Sequence, residues 1–305
     1  IDDFDMKASV VFLLYKPKWE KVKRTLDSII EQEGMDFDLV IGDDGSENDL
    51  FPEIKAYLEE VGFEKPVKFN KCPENVGTVK NFYNATLLAE GEYIRSISPG
   101  DMFCGKTALK DFVNCALEAD AAVAFTELIY YNMNKDGEIT PVSQWVSPQY
   151  VSYKSQADFL KHYVLYNDLS IGFGILFRRK EFMEVMEKFV DRVKYCEDYA
   201  ARVMIYAGQT ACYCNKPTGL YEVGEGISSN DVWRQRLIDD WNVATEIMFE
   251  FNPDPALKRK FLRANSCNFC HSKLKKFLSY ATMPGKLAWY IWDMFNPRYS
   301  KCKQY

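Results

Sequence analysis

Four short segments carry side chains whose type and spacing can do chemistry. Asp43-Asp44-Gly45-Ser46 follows an apolar run, so its two carboxylates emerge where a strand ends. There Asp44 can accept the ring N–H of a base, and Gly45 lets backbone approach a ligand closely. The plainer reading of the same residues is an Asp-Gly turn before a helix. Asn75-Val76-Gly77, followed by Lys80-Asn81, stands at a loop-to-helix junction. Such a junction offers backbone N–H groups and a positive dipole end to a pyrophosphate. Lys80 adds a point charge, unless it is a solvated helix lysine. Ser98-Pro99-Gly100-Asp101 is a turn with one carboxylate, readable as the cap of the next helix. Cys196-Glu197-Asp198-Tyr199 opens a helix with adjacent acids, either a positioned general base or favourable charge in a first turn. His162 and His271 are the only histidines, which argues against a His-centred nucleophilic triad or a multi-His metal site.

These residues need elements to position them. Ala8 to Tyr15 is a continuous apolar, β-branched run, and Trp19 to Gln32 repeats apolar residues at helical spacing. Asp38 to Ser46, Leu50 to Val61 and Val67 to Asn70 continue the order as strand, helix and strand. Thr78 to Glu90 reads as a helix, Glu92 to Ile97 as a strand, Lys106 to Ala119 as a helix and Ala121 to Tyr131 as a strand. Asn132 to Ser152 holds turn residues. Helices follow at Ser155 to Tyr166, Lys180 to Val190 and Glu197 to Ala207, with strands at Gly172 to Phe177, Thr210 to Tyr213 and Gly219 to Glu222. Strands buried on both faces and alternating with helices predict an α/β fold with a parallel sheet, whose ligands sit at the carboxyl ends of its strands. After about Gly226 the pattern is helical throughout. The expected organisation is one α/β domain over residues 6–225, with Met6 as a natural start, and a basic, aromatic helical region over 226–305.

Taken in order and spacing, several of these pieces resemble glycosyltransferase family 2. They are the strand ending at Tyr15, Leu26-Asp-Ser-Ile-Ile-Glu-Gln32, Val40-Ile-Gly-Asp-Asp-Gly-Ser46, Asn75-Val-Gly77, Lys80-Asn81, Ala89-Glu-Gly-Glu-Tyr-Ile94, the Asp101 turn and Glu197-Asp198. The resemblance implies the GT-A fold, with a mixed, mainly parallel sheet flanked by helices. It also implies an inverting transferase that moves a sugar from a nucleotide diphosphate donor, most commonly UDP-linked, to a hydroxyl. By the same resemblance Tyr15, Asp43, Asp44, Asn75, Gly77 and Lys80 hold the donor, Asp198 is the general base, and Glu197 orients the acceptor or a neighbouring loop. The family's metal-binding turn usually reads Asp-x-Asp or Asp-x-Asp-Asp. Here Ser98 and Gly100 stand where the first two carboxylates are expected, which leaves Asp101 to hold Mn²⁺ or Mg²⁺, with phosphate oxygens and waters completing the octahedron. A processive Gln-x-x-Arg-Trp pattern is missing from Trp233 to Trp241, so single-sugar transfer is expected.

Composition sets the remaining bounds. The 305 residues carry a net charge of −6 and 15% aromatics, which suits a folded protein and argues against a general nucleic-acid binder. The charge is uneven: from Lys258 onward eleven Lys or Arg face one acid, Asp293, giving +10 and leaving −16 on the remainder. With the apolar stretch Gly285 to Phe295, that tail suits peripheral contact with anionic lipid or docking on the acidic body. No run approaches the ~20 apolar residues of a spanning helix. Nine scattered cysteines fit reduced thiols. The expected setting is cytoplasmic, at the inner membrane face, with a glycan or lipid-linked acceptor in bacterial surface polysaccharide assembly. A non-catalytic nucleotide-sugar-binding or assembly subunit is the alternative, motivated by the thinned Ser98-Asp101 turn.

Overall fold

The computed structural model describes residues 6–134, 137–145, 153–168, 171–223, 233–267, 272–281, 283–295 and 299–300. The expected boundary at Gly226 and the basic Arg298, Lys301 and Lys303 lie outside the described residues. Strand β1 (Ala8–Leu14) is buried along its whole length, which is why it reads as an unbroken apolar run. Helix α1 (Trp19–Ile30) follows, with Val22, Leu26 and Ile29 as its buried stripe. Then come β2 (Phe37–Asp43), α2 (Phe51–Glu60), β3 (Val67–Lys71), α3 (Thr78–Thr86) and β4 (Tyr93–Ile97). Strand β1 pairs in parallel with β2 on one side and β4 on the other, and β2 pairs in parallel with β3. The chain therefore builds outward from β1 to β3 and returns to the far side of β1. That reversal makes the crevice beyond the carboxyl ends of β1 and β4 the topological switch point.

The second half completes the sheet. It holds β5 (Met102–Phe103), α4 (Ala108–Glu118), β6 (Val123–Met133), β7 (Ile139–Trp145) and α5 (Gln156–Phe159), which runs into a π-helical stretch, Leu160–Leu165. After the tight turn Gly172–Gly174 come β8 (Ile175–Arg178), α6 (Arg179–Phe189), α7 (Tyr199–Tyr206) and β9 (Ala211–Glu222). The chain then continues through α8 (Arg234–Phe251), α9 (Pro255–Asn265), α10 (Lys273–Ala281), α11 (Pro284–Phe295) and β10 (Tyr299–Ser300). Strand β8 lies antiparallel between β4 and β6, so β4 and β6 point the same way, and β9 runs parallel to β6. The ends of β1, β4, β6 and β9 consequently open at one edge of a mixed sheet. This is the GT-A arrangement that the sequence implies.

Four features depart from the sequence reading, the first being strand β10, which pairs with β7 inside the region expected to be helical throughout. The two short strands expected at Thr210 to Tyr213 and Gly219 to Glu222 are one strand, β9, whose register against β6 skips between Cys214 and Pro217. Pro217 has no N–H to give the ladder, and the Thr126 hydroxyl donates to the Lys216 carbonyl at 2.6 Å beside the irregularity. The turn-rich segment contains β7, which pairs with β6 and carries Pro141 together with exposed Ile139 and Val142, so no buried face announces it. Helix α3 ends at Thr86 rather than Glu90.

Two cores cover the sheet. Leu26, Ile54 and Phe112 from α1, α2 and α4 fill one face, and Phe82, Phe182 and Val203 from α3, α6 and α7 the other. Ala244, Ile247 and Met248 of α8 and Phe261 of α9 belong to this second core. Among the described residues no helix is long and apolar enough to cross a membrane.

Candidate functional site

Tyr15 leaves the end of β1 half exposed, at 50%, beside the crevice. The loops after β1 and β2 are tied together: the Asp44 N–H donates to the Leu14 carbonyl at 2.9 Å and the Lys16 N–H to the Ser46 hydroxyl at 2.8 Å. Asp43 is buried, and its Oδ1 accepts from the Ser46 N–H at 3.1 Å and hydroxyl at 2.6 Å, the bonding of an Asp turn. Asp44 is buried as well. Its Oδ1 accepts from the Val76 N–H at 2.7 Å, its Oδ2 from the Asn75 amide at 3.1 Å, and the Gly77 N–H reaches both oxygens at 3.2 and 3.1 Å. Burial pushes the Asp44 pKa up, while the Val76 and Gly77 N–H groups pull it back. The backbone donors of Asn75-Val-Gly77, which the sequence offers to a pyrophosphate, are thus turned onto a protein carboxylate. Gly45, at φ +70°, lets this happen: a Cβ there would lie 2.3 Å from the Glu74 carbonyl carbon. Lys80 points away to an exposed ion pair with Asp191 at 3.2 Å.

The turn after β4 is pinned from three sides. The Gly100 N–H donates to the Thr25 hydroxyl of α1 at 3.0 Å, that hydroxyl donates to the Asp101 carbonyl at 2.8 Å, and the Tyr131 hydroxyl of β6 donates to the Gly100 carbonyl. Asp101 is buried and accepts the Glu222 N–H at 3.3 Å, and burial pushes its pKa up to about 7. Gly100 has φ +104°, and a Cβ on it would stand 2.1 Å from Oε2 of Glu222. The Glu222 carboxylate is held in turn by Lys21 at 2.9 Å and Arg24 at 3.2 Å. This set does not fit a divalent cation. The one carboxylate of the turn is buried against an amide, and the carboxylate nearest to it is already matched to two fixed cations. Among the described residues no three His, Cys, Asp or Glu side chains gather to hold a metal ion. Asp101, the carboxylate expected to hold a metal, is engaged instead by the Glu222 N–H.

Beneath this turn lies Arg95 of β4, fully buried, with its guanidinium over the rings of Phe173, Phe103 and Phe112 at 4.5, 4.7 and 5.0 Å. Nη2 donates to the Phe173 and Thr218 carbonyls at 3.3 Å each, while Nε and Nη1 have no hydrogen-bond partner among the described residues. Burial pushes its pKa down to about 9, which leaves it charged at neutral pH.

Glu197 and Asp198 precede α7, partly exposed, with Glu197 Oε1 3.2 Å from where a Cβ on Gly172 would sit. Burial pushes both carboxyls up, Glu197 further because the Asp198 charge adds to it, whereas Arg202 pulls Asp198 down. The pair therefore keeps its proton on Glu197 and its charge on Asp198. Arg202, one turn along α7, is buried over Tyr199, Trp241 and Tyr163 at 5.1, 5.3 and 5.5 Å. The segment leading to the pair is fixed by Asp240 of α8, whose Oδ2 accepts the Lys194 and Tyr195 N–H groups at 3.1 and 2.6 Å. Lys194 then meets the Asn75-Val-Gly77 loop and the start of α3: its carbonyl accepts the Val79 N–H at 3.1 Å, and a Cβ on Gly77 would lie 2.4 Å from its Cγ.

The structure thus brings Asp44, Asn75 and Gly77 together with the segment before Glu197-Asp198, and Asp43 stands beside them as a turn. Lys80 bonds instead to Asp191, and Asp101 to the Glu222 N–H. Sequence reading missed Lys21, Arg24, Glu222, Lys194, Arg202 and Asp240. The Asp198–Arg202 spacing of four was a usable signal. Nothing local could have joined Glu222 to a turn more than a hundred residues earlier.

The family model of Glycosyl transferase family 2 matches residues 9–183, more than half of the chain and all of the donor-side residues above. No curated protein is similar enough in sequence to match. Among solved structures, Staphylococcus aureus TarS is similar at TM-score 0.58 and 19% identity over 89% of this chain, which spans 45% of that structure's length. TarS 1–349 in complex with UDP-GlcNAc is similar at TM-score 0.52 and 19% identity, covering 92% of this chain and 82% of that one. The mannosyltransferase PcManGT from Pyrobaculum calidifontis, in complex with GDP-Man and Mn²⁺, is similar at TM-score 0.59 and 15% identity, covering 94% and 75%.

Proposed function

The chain belongs to glycosyl transferase family 2 and is a glycosyltransferase, and from that premise we propose that it transfers a single sugar, with inversion, from a UDP-sugar to a hydroxyl of a glycan or lipid-linked acceptor. Asp198 takes the proton of the acceptor hydroxyl as its oxygen attacks the anomeric carbon. The bond from that carbon to the diphosphate breaks, and the electron pair leaves on the diphosphate oxygen. Glu197, holding the shared proton, leaves Asp198 as the ionised member. Tyr15 lines the base, and Asp44 orders the loop of Asn75 and Gly77 around the nucleotide. A neighbour of this fold bound to UDP-GlcNAc supports the donor class. The basic tail, with exposed Leu262, Leu274 and Phe277 among Lys258, Arg259, Lys260, Arg263 and Lys275, supports peripheral contact at an anionic membrane surface during surface-polysaccharide assembly.

One observation supports the reading: Lys194 bonds the α3 end of the donor loop directly to the segment that bears Glu197-Asp198, so base and donor loop are joined by one hydrogen bond and a close backbone approach. Asp198→Asn is expected to bind UDP within about threefold of the parent and to lose about 10²–10⁴ in turnover. An Asp198→Asn protein with unchanged turnover on any UDP-sugar would overturn the assignment.

A further inference from the structure

We propose that Lys21 and Arg24, braced by Glu222, receive the donor's diphosphate in the crevice beyond β1 and β4, so that fixed cations of α1 take the part of a divalent ion and transfer needs no metal. The inference rests on the nucleotide-donor reading above and goes further, to how the leaving group is held.

Four observations meet here. The crevice is the topological switch point of the sheet, and the first two turns of α1, the turn after β4 and the last residue of β9 converge on it. The turn has lost its first two expected carboxylates to Ser98 and Gly100, and the space that a side chain at position 100 would occupy is filled from β9 by Glu222 Oε2. Against the two carboxylates Glu222 and Asp101 stand three cations, Lys21, Arg24 and the buried Arg95, so the cluster carries a net positive charge that favours a diphosphate over a divalent ion. Finally, the other anion seat of the region, the N-terminal end of α3, is already taken by the Asp44 carboxylate and the Lys194 carbonyl.

The cations can be reached. Lys21 and Arg24 side chains are 18% and 17% exposed, but Lys21 Nζ and Arg24 Nε are buried, so a phosphate meets the outer guanidinium nitrogens of Arg24 first, with the Lys21 charge close behind and weakly screened. Arg24 Nη1 rests on the thioether of Met133 at 2.6 Å, a weak acceptor that a phosphate oxygen can replace, and the guanidinium lies 6.0 Å from the Tyr131 ring centre. As the sugar leaves, negative charge grows on the diphosphate, and prepositioned donors stabilise it without reorganising.

The test is calorimetric titration of the full chain with UDP, with uridine as the control that lacks phosphate, in EDTA and in Mn²⁺. Expected is UDP affinity in EDTA within about threefold of that in Mn²⁺. Lys21→Met and Arg24→Met should each weaken UDP by about ten- to a hundredfold and leave uridine unchanged. Glu222→Gln, which removes the competing carboxylate, should bind UDP in EDTA at least as well as the parent. Manganese paramagnetic resonance of the parent, which needs no variant to fold, should show no Mn²⁺ taken up in the presence of UDP. UDP binding that requires Mn²⁺ and loses that requirement in Glu222→Gln would make Glu222 a metal ligand and overturn this inference while leaving the donor reading intact. If no nucleoside diphosphate binds in either buffer, both fall together.

Discussion

Asp198 and Arg202 stand four residues apart at the start of α7, and the charge of one sets the proton affinity of the other. Burial favours the protonated acid, which cannot accept a proton, and the buried guanidinium favours the ionised form, which can. In its proposed role as base, Asp198 fails as pH falls through its raised pKa, so kcat/KM should show an acid limb at higher pH than an ordinary aspartate gives. Arg202→Met removes the group that holds the pKa down, and the limb should move to still higher pH, by about one unit. Arg202→Lys should restore most of it. A pH–rate profile of the three proteins checks this, and a limb that does not move would detach Arg202 from the base. A merely structural role for Arg202 would lower stability without moving the limb.

At the scale of elements, the loop of Asn75 to Gly77, proposed to hold the donor, depends on two backbones approaching more closely than a side chain allows. Gly45 holds φ +70° with the Glu74 backbone against its Cα. Gly45→Ala combines a left-handed alanine with a clash against main chain that cannot swing aside, and should destabilise the protein by about 1–3 kcal/mol in urea unfolding while weakening UDP binding. Such loop contacts explain what the sequence could reveal. The strands β1 and β2 and the helix α1 were legible because burial on both faces leaves an unbroken apolar run and burial of one stripe leaves a helical period. Strand β7 was not, since a strand with a proline and exposed apolar residues, flanked on its outer side only by the two-residue β10, carries no such pattern. The acids of the site were legible by type. Their partners were not: Asp44 bonds across 31 to 33 residues to Asn75, Val76 and Gly77, and Asp101 across 121 to Glu222, through closures that only the finished sheet brings about.

On the scale of the whole molecule, the helical C-terminal region begins inside the core. Helix α8 lends Ala244, Ile247 and Met248 to the core shared by α3, α6 and α7, its Thr245 hydrogen-bonds the Tyr199 hydroxyl at 2.6 Å, and its Asp240 fixes the Lys194-Tyr195 backbone. A chain cut after residue 225 loses all three, and with them the support of the segment that carries Asp198. It is expected to lack a cooperative thermal transition, whereas a chain cut after α9 should keep one; calorimetry of the two distinguishes them.

The buried arginine of β4 gives the protein a second temperament. A charge with three phenylalanine rings around it and three of its five N–H donors unmatched among the described residues is a standing cost to the fold. Arg95→Met should unfold later, by about 1–4 kcal/mol, and should also hold nucleotide less well, because the cation beneath the crevice floor acts through a medium with little water to screen it. Selection for endurance alone would have removed Arg95 early. A heat-selected library of this chain should find that exchange first, and its survivors should be the sturdiest and least active members.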